Sequence, residues 1–374
     1  MKILFLADVQ SIYTRGFVDH LVKNNVLVFI FDPEKLTLFD SSLQPIQTFS
    51  RPSPILDRIP RIGYLLKMTR LRRVYRCLND DYDICHVHYV VPFYSDMAKI
   101  LHGLGDALIV SIWGSDFYKR STRDRFRLIR LFDEADIITF CDETTRRNFL
   151  EFYGDCYDKK TGIYDYGLAP LNQIEMERAR DPGWLKEYFG LDSEACVVTV
   201  GSGASANHNH QRIIDVLGPI SRGLSPQVIF LFPLTYGYKE YKDRIIPQIE
   251  QSGLKVKIFS DYLSETDVAR LRLVTDIQIT MQDTDQMSGA MLEHIFAGSL
   301  VITGDWLPYQ TLLEKGLDLI RLSSIEDLGA CLPEVIGSLA RFKDARSNNR
   351  GIIKKLYSWE SSIHNWIDLY RNMI

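Results

Sequence analysis

Ala195–Gly201 reads ACVVTVG, a short apolar run closed by glycine, and it decides how the chain is divided. After it, at regular intervals, come QVIFLFP (residues 227–233), KVKIFS (255–260), DIQIT (276–280) and LVITG (300–304). Amphipathic segments of helix length separate these runs. Short buried strands alternating with helices predict a parallel, doubly wound sheet. The same alternation has already run once further upstream. There Ile3–Ala7, Val26–Phe31, Ile84–His88, Ala107–Ile112 and Ile137–Phe140 read as strands, with Arg15–Asn24 and Asp96–Leu104 among the helices. A chain of 374 residues also exceeds what one hydrophobic core organises. The sequence therefore predicts an α/β protein of two Rossmann-like domains. The polar connector GLAPLNQIEMERARDP, Gly167–Pro182, is the boundary between them.

Composition narrows the function. Apolar residues make up 46% and charged residues 25%, as in ordinary folded proteins, which excludes a largely disordered chain. The net charge of −4 gives no reason to expect nucleic acid. Cys77, Cys85, Cys141, Cys156, Cys196 and Cys331 are scattered without a CxxC pair, which fits a reducing compartment and describes neither a zinc site nor a disulfide framework. The start, MKILFLAD, reads as a first strand rather than a signal peptide, and no apolar stretch approaches the ~20 residues that span a bilayer. A cytoplasmic protein is expected, with any membrane contact peripheral. Two basic blocks bear on that contact. Arg51–Arg76 holds eight basic residues, Arg70, Arg72 and Arg73 among them, against one acid, with apolar residues interleaved; Lys119–Arg130 holds six against one. Such a segment is either a solvated helix face or a surface for anionic lipid.

The stretch richest in chemistry is DQMSGAMLEHIFAG, Asp285–Gly298. It follows strand DIQIT, so it lies at the carboxyl end of a strand, where open α/β sheets bind ligands. Ser288, Gly289 and Ala290 stand at the start of an apolar helix pattern. Small residues there leave backbone amides open to an anion such as a diphosphate. Glu293 falls one turn into the helix, within reach of a ribose diol. Asp285 lies eight residues earlier, on the loop.

This stretch resembles the E-x7-E signature of family-4 retaining glycosyltransferases, EGFGLVLLEAMACG. Asp285 stands at the first acid, Glu293 at the second and Ala297-Gly298 at the closing AG. The resemblance extends along the chain. LSETDVARLRLVTDIQIT from Leu263 resembles the run before the acids, and SWESSIHNWIDLY at Ser358–Tyr370 resembles the C-terminal helix that crosses back to the first domain. DICHVHYV, VSIWGSD and EADIITFCDETTRRNF resemble N-terminal motifs of the same family.

The resemblance implies a GT-B fold, two Rossmann-like domains facing an interdomain cleft. It gives an acceptor domain at residues 1–168, a nucleotide-sugar domain at 169–356 and a returning helix at 357–374. It implies that Asp285 contacts the donor sugar, that Glu293 holds the ribose, and that Tyr262 sits where the base is contacted. On the acceptor side it points to His88, to Asp116 as the general base of an inverting reaction, and to Gly16 in a glycine loop.

The segment VGSGASANHNHQR departs from the family. It lacks the usual Arg and Lys, and leaves Gly201, Ser202 and His210 as donor-loop candidates. GSGASANHNH followed by FPLTYGYKEYKD resembles instead the inverting bacterial 4-acetamido-4,6-dideoxygalactose transferases, so retention and inversion both stay open. The Asn207–His210 run has no third and fourth ligand placed by spacing, and Asp283-Thr284-Asp285 only mimics a DxD motif, so no metal or other cofactor is expected. The expected partners are a nucleotide-sugar donor and a glycan acceptor, lipid-linked in one reading, in bacterial surface polysaccharide synthesis. Two alternatives stand beside this hexosyltransferase: a GT-B sugar-nucleotide 2-epimerase, and a silent sugar-nucleotide-binding protein.

Overall fold

The computed structural model describes residues 1–49, 60–78, 81–285 and 287–374. They form two units, Met1–Gly167 with Trp359–Ile374, and Leu168–Ser358. The first holds β1 (Lys2–Leu6), β2 (Leu27–Asp32), β3 (Thr37–Phe39), β4 (Pro45–Thr48), β5 (Tyr82–Val87), β6 (Gly105–Ile112), β7 (Ile137–Phe140) and β8 (Thr161–Ile163). Their order in the sheet is β4-β3-β2-β1-β5-β6-β7-β8. Six strands are parallel. β3 pairs antiparallel with β2, and β4 with β3. The parallel, doubly wound sheet expected here therefore carries an antiparallel edge. A parallel crossover takes a dozen or more residues, and the chain turns from β2 to β3 at once. Asp32 accepts from the Glu34 and Lys35 amides at 3.0 and 3.1 Å, and Leu36 completes the turn at φ +50°.

The second unit holds β9 (Cys196–Val200), β10 (Val228–Pro233), β11 (Val256–Phe259), β12 (Ile277–Thr280), β13 (Leu300–Gly304) and β14 (Ile320–Leu322). All are parallel, in the order β11-β10-β9-β12-β13-β14. Strand order reverses between β9 and β12, the doubly wound arrangement whose ligands sit at the carboxyl ends of those two strands. Val198, Val200, Phe230, Ile277, Ile279 and Ile302 close the core on one face of the sheet, and Val197, Ile229, Leu231 and Val301 are buried on the other.

The helix Trp359–Asn372 belongs to the first unit. Trp359, Ile363, Trp366 and Tyr370 recur at helical spacing and are all buried there, with Phe5, Phe17 and Ile84. Trp366 lies against Phe17 with ring centroids 5.0 Å apart and donates from Nε1 to the Asp165 carbonyl at 3.1 Å. The Tyr370 hydroxyl is 2.8 Å from His86 Nδ1, and His86 Nε2 is 2.7 Å from the Ser111 hydroxyl. Gly167 makes room for this return, since a Cβ there would come within 2.3 Å of the Trp359 ring. Trp366→Ala is expected to destabilise the first unit by about 3–5 kcal/mol, the range for emptying a fully buried aromatic site. Urea unfolding followed by circular dichroism measures it, and an unchanged midpoint would remove this helix from the unit's stability.

Candidate functional site

The loops after β9 and β12 meet at the switch point of the second unit, and two asparagines join them. Asn207 donates from its side-chain amide to the Thr284 carbonyl at 2.9 Å and accepts from the Thr284 amide at 3.1 Å. Its own carbonyl accepts from the Asp283 amide at 3.0 Å. Asn209, in the left-handed region at φ 55°, donates to the Met281 carbonyl at 2.9 Å and to Asp283 at 2.8 Å. Both asparagines come from the run in which a metal site was weighed, and here they act as clamps between loops. Among the described residues no three His, Cys, Asp or Glu side chains gather as a metal site. The β9 loop is also joined to the loop after β10. The Ala204 amide donates to the Tyr236 carbonyl at 2.7 Å and the Tyr238 amide to the Ala204 carbonyl at 3.0 Å, leaving both tyrosine rings exposed.

The helix Gly289–Ala297 starts on this platform. Ser288 is its N-cap and its hydroxyl accepts from the Met291 amide at 3.2 Å. The Gly289 and Ala290 amides have no acceptor within the helix, which leaves them as open donors at its positive end. Glu293 is one turn on. One of its oxygens accepts from Arg272 Nε at 3.1 Å; Arg272 is buried and lies on the neighbouring helix Glu265–Val274. Asp285 accepts from the hydroxyl of Tyr309, which is buried beyond β13. Burial, and then the Asp285 carboxylate, push the Tyr309 phenol upward. Spacing along the chain pointed to both acids and to neither donor. For Arg272 a signal existed: an arginine on the apolar side of the VARLRLV helix, beside Ala269 and Leu271.

The remaining candidates fall into two groups. Gly201 sits at φ +66° and donates to the Ile279 carbonyl at 2.9 Å. Ser202 follows it, largely buried. Tyr262, just past β11, is 83% exposed and open to a base. His210 differs from expectation. Its ring turns into the core, 3.0 Å from the Tyr241 hydroxyl, and burial lowers its pKa to about 3. It packs under Gly201, where a Cβ would come within 2.8 Å of Nε2. His210 thus supports the glycine loop, and a neutral inward ring offers no charge to a phosphate.

In the first unit, Asp116 ties the loops after β5 and β6 together. It accepts from the Val90 amide at 3.0 Å and the Trp113 amide at 2.9 Å. Burial raises its pKa to about 6, with the backbone hydrogen bonds opposing. His88 is buried among Phe5, Phe17, Trp113 and Tyr166, with no hydrogen-bond partner on either ring nitrogen among the described residues, and burial lowers its pKa to about 3. Gly16 is not in a loop. It lies within the helix Ile12–Lys23, where its carbonyl pairs with His20 Nδ1 at 2.8 Å. The helix begins too soon after β1 for a glycine loop to include it.

Residues 2–141 match the family described as Glycosyl transferase 4-like. No curated protein matches the chain by sequence. Anabaena HepE, solved with UDP, is similar in structure over 100% of both chains, with a TM-score of 0.72 and 15% identity. Sucrose-phosphate synthase from Thermosynechococcus elongatus has a TM-score of 0.74 and 14% identity, covering 100% of this chain and 99% of its own. A glycosyltransferase from Rickettsia africae gives 0.73 and 14%, covering 100% of this chain and 98% of its own. The chain has the GT-B glycosyltransferase fold.

The buried imidazoles predict a stability that falls in acid. Burial lowers the pKa of His86, His88, His208, His210 and His294, so the folded chain keeps them neutral. The unfolded chain takes up protons on them below a pKa of about 6.5. Stability is therefore full above that value and falls as pH drops through it, by up to ~1.4 kcal/mol per pH unit for each histidine. Asp116 acts oppositely, since its raised pKa favours the fold as pH falls from about 6. With five histidines against one aspartate, net stability is expected to decline between pH 6.5 and 5. Urea titrations across that window check it, and a flat profile would contradict the buried neutral histidines.

Proposed function

We propose that this protein transfers a hexose-type sugar from a UDP-, dTDP- or GDP-sugar to an acceptor hydroxyl. The observation that carries the reading is the Ser288-capped helix, with Asp285 before it and Glu293 one turn inside, at the switch point of a parallel sheet. Amides at Ser288, Gly289 and Ala290 stabilise the departing diphosphate, whose charge grows as the glycosidic bond breaks. Glu293 accepts from the ribose hydroxyls, Asp285 contacts the donor sugar, and Tyr262 meets the base. Gly201 and Ser202 shape the phosphate side of the pocket. No metal takes part. In the first unit Asp116 holds the Val90 and Trp113 amides in place, and His88 sits behind them as a neutral ring. Support also comes from HepE, which is solved with UDP, with UDP and glucose, and with UDP-glucose.

Titration with UDP, dTDP and GDP by calorimetry tests the donor side, each with and without EDTA. One nucleotide is expected to bind in either buffer. Glu293→Gln keeps an acceptor for Arg272 but removes the charge, and is expected to weaken that binding about tenfold or more, the scale of a charge-assisted hydrogen bond. Unchanged affinity would take Glu293 out of the site.

The acceptor in this proposal is a lipid-linked glycan at the inner face of a bacterial membrane, in surface polysaccharide assembly. No described helix is long and apolar enough to cross a membrane. The helix Pro60–Cys77 buries Met68, Leu71, Val74 and Tyr75, and turns Arg72, Arg73 and Arg76 outward, with Leu65 64% exposed among them. The second basic block meets the first here, as Arg127 donates to the Tyr64 hydroxyl at 2.9 Å and Phe126 is 57% exposed. Residues 51–59 of the basic stretch lie outside the described residues. Each Lys or Arg near an anionic surface contributes about 1 kcal/mol. Liposome co-sedimentation is expected to show binding to anionic but not neutral vesicles, and loss of it when Arg70, Arg72 and Arg73 become Glu. Negligible binding to both vesicles would make the acceptor a soluble one.

A further inference from the structure

Glu293 is not held by its own helix. Its guanidinium partner, Arg272, is 21 residues back in the chain and buried, and a buried arginine persists only if its donors are matched. The second donor, Nη1, lies 3.0 Å from His294 Nε2. An arginine has no acceptor, so Nε2 must carry the lone pair and Nδ1 the proton. That proton faces the Ser299 hydroxyl at 3.2 Å, and Ser299 in turn donates to the Thr275 carbonyl at 3.0 Å. The Thr275 hydroxyl reaches the Leu271 carbonyl and the Thr199 hydroxyl, each at 2.7 Å. The guanidinium is thus fastened, through His294 and Ser299, to backbone at the start of β12. It has one orientation, and Glu293 Oε2 is fixed by it. The other oxygen, Oε1, has no partner among the described residues, and the side chain keeps 12% exposure.

We propose that Arg272 is a positioning residue that fixes the Glu293 carboxylate, so that Oε1 alone receives the hydroxyls of a ribonucleoside diphosphate. This rests on the donor-site reading of Glu293 and deepens it: one oxygen with two lone pairs suits a vicinal diol, and so favours a ribose over a 2′-deoxyribose. The donor class is then UDP- or GDP-linked, ahead of dTDP-linked. A carboxylate free to rotate would lose that preference even while keeping its charge.

The test compares UDP and GDP with their 2′-deoxy counterparts by calorimetry on the full chain. Wild type is expected to prefer one ribonucleotide over its deoxy form by about tenfold or more. Arg272→Met should erase most of that preference, and Arg272→Lys, which keeps the charge without the fork, should restore part of it. The double variant Arg272→Met, Glu293→Gln should bind no more weakly than Glu293→Gln alone, because both changes remove the same contact. Melting curves accompany each variant, and if Arg272→Met fails to fold, the lysine variant and the Glu293→Gln comparison carry the test. A full ribose preference in the folded Arg272→Met or Arg272→Lys protein overturns the proposal while leaving Glu293 as a ligand. Equal affinity of wild type for ribo- and deoxyribonucleotides, or no binding of any, overturns the reading of Glu293 itself and the proposal with it.

Discussion

Backbone groups in the loops beyond β9 and β12 would be left unpaired if each loop stood alone, and the asparagine clamp is what satisfies them. Asn207 and Asn209 between them engage the Met281 and Thr284 carbonyls, the Thr284 amide and the Asp283 carboxylate. A side-chain amide offers donors and an acceptor together, so one residue can replace a missing rung of the sheet where the strands diverge. The loop that leads to Asp285 and Ser288 is held by this join. It sets where the helix Gly289–Ala297 begins, and so where its open amides are. It also places Asp285 in reach of Tyr309, which is far along the chain and buried beyond β13.

The two acids share a design. Each meets a buried donor from an element behind it: Asp285 the Tyr309 hydroxyl, Glu293 the Arg272 guanidinium. Such donors are costly to bury unless fully used, and in return they hold a carboxylate in one orientation. Positive charge lies behind Glu293, and a neutral phenol behind Asp285. The first unit solves a similar problem without charge. His86, Ser111, Thr139, Tyr166 and Tyr370 satisfy one another in the middle of an aromatic core, and the last of them arrives on the returning helix.

Local sequence determined the period and polarity of each element. Alternation of apolar runs with amphipathic helices, restarted at Ala195, yielded two doubly wound sheets, and strands such as β7 and β13 occupy the residues their patterns mark. Small residues before an apolar helix, with acids eight apart, marked the stretch from Asp285 to Ala297, because capping and loop chemistry are local. Tertiary structure alone decided which way individual side chains turn and what they meet. His210 follows a glycine loop, as a phosphate ligand would, yet it packs inward on Tyr241. Gly16 was read as part of a loop and is the interior of a helix. β3 and β4 are too short to show a pattern, and they run antiparallel because a tight turn leaves no length for a crossover. The pairings of Tyr309 with Asp285 and of Arg272 with Glu293 were invisible for the same physical reason, although Arg272 itself stood out on the apolar side of its helix. A hydrogen bond between residues on different elements depends on which faces the sheet brings together, and no window of neighbouring residues contains that information.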